Sequence, residues 1–161
     1  MAELTPLEEK LAEVLGLAQA ASQVTEKVAK LVEADEQRTL LDRMSDEARA
    51  TADRAERIAS AREGRKTAIL DKARETKSEL HEMAQTYLGG DDVDALDGFE
   101  FLSMAEAGEL AHVEVIEKIN ETERDTDIDE LVRFVKPIQE RHVGVVRETT
   151  LALAAEEAQE S

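Results

Sequence analysis

Two stretches of this chain place an imidazole three residues behind a carboxylate or an amide. The first, FLSMAEAGELAHVEVIEKI, carries Glu109-x-x-His112, and the second, LVRFVKPIQERHVGVVRETTLAL, carries Gln139-x-x-His142. Residues three apart on an α-helix share a face, so each pair can grip one ion or one proton. Two such helices facing each other would form the inner half of a metal site in a helical bundle. Glu106, one turn before Glu109, and Glu47, on an earlier helical stripe, extend the donor set. The six residues Glu109, His112, His142, Glu47, Glu106 and Gln139 suit Fe, Mn or Zn. A metal-free polar core fits the same residues, because a buried carboxylate and a buried imidazole must each find a partner. Arg49 offers a further charge partner for such a core, and His81, between Glu79 and Glu82, reads as surface.

The elements that must position these residues are helical. Hydrophobic residues make up 42% of the 161, aromatics only 2%, and two Pro and seven Gly leave long stretches free to coil. Ala, Leu, Glu and Arg favour helix, so the composition reads as an all-α bundle with a small-residue core. The formal charge of -18 repels phosphate backbones and anionic lipid, which argues against nucleic-acid and membrane partners. With no cysteine there is no disulfide, thiolate ligand or thiol nucleophile. The acidic N-terminus lacks a signal-peptide apolar run, and no stretch approaches the roughly 20 apolar residues of a membrane span, so a cytoplasmic location is expected. No glycine-rich phosphate loop and no Ser/His/Asp grouping is present.

In chain order, Thr5-Pro6-Leu7-Glu8 forms a capping box with Pro at the first helical position. Behind it Leu7, Leu11, Val14, Ala18, Ala21, Thr25, Val28 and Val32 recur at spacings of four and three, predicting a helix to about residue 33. A second stripe runs Leu41, Met44, Ala48, Thr51, Ala55 and Ile58, and Gly64 then breaks the helix. Ile69, Ala73, Thr76, Leu80, Met83 and Tyr87 mark a connecting helix that Gly89-Gly90 ends. Asp91-Asp92-Val93-Asp94 lacks the alternating ligands of a calcium loop, and Asp97 with Glu100 is expected to cap the next helix, from about 98 to 122. Its inner side is read as Leu102, Ala105, Glu109, His112, Ile116 and Ile119. The last helix shows Leu131, Val135, Ile138, His142, Val145, Thr149 and Ala152, with Pro137 expected to kink it.

Leu17-Ala18-Gln19-Ala20-Ala21-Ser22 can be laid over Met104-Ala105-Glu106-Ala107-Gly108-Glu109, and Asp46-Glu47-Ala48-Arg49 over Gln139-Glu140-Arg141-His142. With this repeat the chain resembles the ferritin-like superfamily, which includes rubrerythrins and bacterioferritins. The resemblance implies a ferritin-like four-helix bundle in one domain, 1–161, with hairpins 5–63 and 97–158 and a crossover helix 66–88. It also implies a di-iron site taking one Glu from each of two helices and a Glu-x-x-His from each of the other two. Here Gln19 or Ser22 stands where a Glu is wanted, and Asp46-x-x-Arg49 and Gln139-x-x-His142 replace two motif positions. The expectation is therefore a non-catalytic bundle with a single-metal or vestigial metal site between the last two long helices. The alternative is a di-iron or di-manganese oxidoreductase or ferroxidase with an atypical site. Leu15, Leu17, Val113 and Val146, beside the main stripes, are the expected surface of a homodimer.

Overall fold

The computed structural model describes residues 3–160, so Met1, Ala2 and Ser161 of the expected 1–161 domain lie outside the described residues. Five helices follow in order: α1 Pro6–Ala29, α2 Asp35–Ser60, α3 Lys66–Leu88, α4 Ala95–Glu123 and α5 Thr126–Glu160. Strands are absent among the described residues, and none of the helices is long and apolar enough to cross a membrane.

The caps explain where the helices begin. Thr5 accepts from the Glu8 N–H at 3.2 Å while the Glu8 side chain accepts from the Thr5 N–H at 2.9 Å, as the sequence predicts. The cap of α4 differs from expectation. Asp94, not Asp97, is the N-cap, and Asp97 returns the bond as its third helical residue, so α4 starts at Ala95. An aspartate every third residue offers two registers, and the helix takes the earlier one, which adds a turn. Gly64 turns the chain with φ 74°, a conformation that glycine adopts without steric cost. The segment 66–88 forms the connecting helix with the expected bounds.

Helices α1, α2, α5 and α4 are neighbours in a ring, and α3 lies outside it, mainly against α1. At one end Glu8 of α1 meets Arg65, which precedes α3, and Arg62, which follows α2, meets Asp125 in the α4–α5 turn. Every ring neighbour is therefore antiparallel, and α3 carries the chain back along the bundle. Gly16 permits the α1–α3 contact: a Cβ there would lie 2.3 Å from the Ala73 carbonyl oxygen. Alanine at this position forces the helices apart.

All eight residues of the predicted α1 stripe are buried. The inner faces of α4 and α5 keep Leu102, Glu109, Ile116, Leu131, Val135 and His142 as expected, but at the positions between them the buried residue is the next one along. On α4 the buried series is Leu102, Glu106, Glu109, Val113, Ile116 and Asn120. On α5 it is Ile128, Leu131, Val132, Val135, Gln139, His142 and Val146, while Ile138 and Val145 are only partly buried and Ala152 is exposed. α5 continues as helix through Pro137. On α3, Met83 and Tyr87 turn outward, and Ala84 and Leu88 take the inner face. Leu15, Val113 and Val146 are core residues and Leu17 is partly buried, so these four do not form a dimer surface.

The apolar core falls into two clusters. One centres on Leu11, Leu15, Ile69, Ile116 and Ile128, the other on Val28, Leu41, Met44, Phe99, Phe101 and Leu102. Between them α2, α4 and α5 contribute polar side chains at mid-length. This polar layer is where the sequence-predicted site residues converge.

Candidate functional site

His142 sits at the centre of the layer with its side chain 2% exposed. Its Nε2 lies 3.1 Å from Oε1 of Glu47 on α2, and its Nδ1 lies 3.8 Å from Oε1 of Glu106 on α4. The first is a hydrogen bond; the second is an ion-pair distance. Glu47 is also held by the neighbouring Arg141, whose Nη1 donates to Oε1 at 2.9 Å and whose Nη2 donates to Oε2. This bidentate fork occupies both oxygens of the carboxylate. Gln139, one turn before His142, donates from Nε2 to the Glu106 backbone oxygen at 3.1 Å and also to its carboxylate.

Glu109 sits one turn beyond Glu106 on the same inner face and is 7% exposed. Its Oε2 is fully buried and accepts no hydrogen bond. As a carboxylate it would leave a charged oxygen without a donor in a low-dielectric layer, which is costly. As a neutral acid it can donate its proton to Glu106. Burial, and after it the charge of Glu106, push the Glu109 carboxyl well above the usual carboxylate range. Burial also works against charge on Glu106, but the nearby His142, with donors from Glu109 and Gln139, holds it below that range. For His142, burial favours the neutral ring, yet Glu106 and then Glu47 outweigh it and raise its pKa. These shifts favour an ionised Glu106, a cationic His142 and a Glu109 that holds its proton.

Five of the six expected donors therefore meet: Glu47, Glu106, Glu109, Gln139 and His142. His112 does not join them. One helical position from the buried Val113, it lies at the edge of α4, where Nδ1 donates to the Gly108 carbonyl at 2.8 Å. Its Nε2 faces Glu13 of α1 at 3.4 Å. The direct partner of His142 on α4 is Glu106, and Glu109 couples to it through Glu106. Arg49 points elsewhere, bonding Asp46 at 2.8 Å and Glu26. His81 is partly buried, and burial, then Lys77 and Lys27, lower its pKa. Arg141 joins the layer, although no sequence pattern marks it as a site residue. Its only sequence signal is adjacency to His142, and its contact with Glu47 spans 94 positions.

A space of about 10 Å³ between Glu109, Gln139, Thr51 and apolar neighbours is on the order of one water. Among the described residues no three His, Asp or Glu side chains are arranged to hold a metal ion. A di-metal centre also lacks its other half, since Ser22 of α1, where a Glu is wanted, faces Ser45 of α2 at 3.0 Å, and Asp46 is paired outside with Arg49. The residues present do not fit that centre. Compared with known proteins, the chain matches no family model, no curated protein and no solved structure.

Proposed function

We propose that this protein is a non-catalytic, ferritin-like helical bundle whose mid-bundle site is a proton-sharing polar layer that locks its two hairpins in register. The ring of α1, α2, α5 and α4, with α3 returning the chain outside it, supports the family reading of the fold. The observation that carries the functional reading is His142 of α5 held between Glu47 of α2 and Glu106 of α4. A buried ion network of this kind adds little net stability over an apolar core, but it penalises every other register by stranding its charges.

One observation favours a second reading, a single divalent cation. The partnerless Oε2 of Glu109 is the kind of oxygen a cation would satisfy. Glu47, Glu106, Glu109 and His142 would be its ligands, once Glu109 and His142 give up their protons and Arg141 releases Glu47. Metal analysis of untagged protein, followed by calorimetric titration with Zn²⁺ and Mn²⁺, separates the readings. The structural reading predicts substoichiometric metal and no saturable heat. One bound ion with proton release would establish the second reading. Two irons per chain with an oxygen-dependent absorbance change would overturn both in favour of an oxidoreductase.

A further inference from the structure

At the end of the bundle remote from the α4–α5 turn, the α1–α2 turn, the start of α4 and the end of α5 enclose a cleft of about 480 Å³. Leu31, Leu96 and Leu153, one from each side, face it and are only partly buried. Leu31 and Leu96 belong to neither apolar cluster of the core, so the cleft presents apolar surface that the fold itself does not use. Its last wall is an uncovered helix. From Leu151 to Glu160 every residue of α5 is exposed except Leu153, which leans into the cleft.

The polar lining carries one sign of charge. Glu33, Asp94, Glu156, Glu157 and Glu160 line the cleft, with Gln37 as the neutral polar member and no Lys, Arg or His. None of these five carboxylates takes part in an ion pair among the described residues, whereas Glu8, Glu47 and Asp125 elsewhere are each matched by an arginine. The imbalance is written in the sequence: residues 78–117 and 148–161 contain no Lys or Arg, and the fold brings both stretches to this cleft.

We infer that this cleft docks a Lys/Arg-rich amphipathic helix of a partner protein, with the partner's apolar stripe on Leu31, Leu96 and Leu153 and its cations against the surrounding carboxylates. A helix lying in a groove buries its stripe on the apolar floor, and charge matching around the rim sets the partner's sign and speeds encounter. The inference is independent of the central polar layer.

A short synthetic helix of leucines and lysines, fluorescently labelled, tests it by anisotropy against the full chain. The wild type is expected to bind saturably, more weakly as salt rises. The pair Glu156→Gln and Glu157→Gln should weaken binding about tenfold, and so should Leu153→Gln, because both charge and apolar floor contribute. The pair Glu79→Gln and Glu82→Gln on α3 removes equal charge away from the cleft and should leave affinity unchanged. All four glutamates are exposed, so those variants keep the fold even where Leu153→Gln disturbs it. Equal weakening by the α3 pair would overturn the inference as general charge attraction. Full competition by spermidine would reduce the cleft to a polycation site. A dimer of the free protein that Leu153→Gln dissociates would assign the cleft to a second copy instead.

Discussion

The two hairpins cross at similar depth and settle their polar contacts in opposite ways. Between α1 and α2, Ser22 and Ser45 share a hydrogen bond, and the Ser45 hydroxyl lies 2.9 Å from the Ser22 carbonyl. Small residues such as Ala18, Ala21, Ala48 and Ala52 surround that crossing, and its charges are kept outside, on Arg49, Glu26 and Asp46. Between α4 and α5, the charges themselves are buried, on Glu106 and His142, with Gln139 and the neutral Glu109 beside them. The hydroxyl pair is satisfied within its own hairpin, with the Ser22 carbonyl, Glu26 and Arg49 as further partners of Ser45, and needs no third helix. A carboxylate and an imidazolium leave bonding capacity over, and His142 spends it on Glu47 of the other hairpin. The charged crossing therefore joins the hairpins, and the neutral one only closes its own.

The sharpest way to break this contrast is His142→Ala. Removing the shared cation leaves Glu106 and Glu47 facing each other and should cost about 3 to 5 kcal/mol in urea unfolding at neutral pH. A loss no larger than that of Ser45→Ala would erase the distinction between the two crossings.

The foot of α1 and the Glu109–His142 part of the polar layer should respond to pH with opposite sign. Glu8, at the foot of α1, is held by Arg65, whose hydrogen bond does most to lower its pKa from 4.5 to about 2. A lowered carboxylate contributes its stability above 4.5 and loses it as pH falls towards 2. Glu8→Gln should thus cost about 2 kcal/mol at pH 7, allowing for solvent at Arg65, and the difference should fade in acid. In the polar layer His142 and Glu109 are shifted upward, and Glu106 downward. His142 stabilises fully below its ordinary 6.5 and loses that contribution as pH rises through its folded value. Glu109, raised well above 4.5, binds its proton more tightly when folded, so its contribution also fades as pH rises. Glu109→Gln keeps the donor and removes the titration. It should raise stability at pH 8 by about 1 kcal/mol, change little at pH 4, and flatten the alkaline limb of a thermal melt series.

Smaller effects complete the ranking. Ser45→Ala should cost about 1 kcal/mol with no pH dependence beyond that of the wild type. His112→Ala, at the exposed edge of α4, should change stability by less than about 0.5 kcal/mol, and a larger loss would mean that it belongs to the layer after all.

The helical elements were legible because their signals are local. The α1 stripe is a regular alternation of apolar residues, and it is buried in full since α1 packs against α2, α3 and α4. The phases of α4 and α5 were harder to read for a physical reason. Apolar residues stand on both sides of each polar one, so choosing between His112 and Val113, or between Ile138 and Gln139, depends on which neighbours flank the helix. Periodicity does not carry that information. It also could not show that Arg141 and His142 converge on Glu47, because this pairing exists only once the hairpins dock. The position of α3 outside the ring depends on Gly16 and the backbone of Ala73, a contact with no side-chain pattern to announce it.

The central claim is that the polar layer is balanced by a proton on Glu109 and a charge on His142. Side-chain NMR titration reads both, through the carboxyl carbons of Glu106 and Glu109 and the ring nitrogens of His142, with Glu109→Gln for assignment. The account predicts that at pH 7 Glu109 is neutral, Glu106 is ionised and His142 is protonated at both nitrogens, and that Glu109 and His142 give up their protons as pH rises further while Glu106 stays ionised. Two ionised carboxyls beside a neutral imidazole at pH 7 would contradict it.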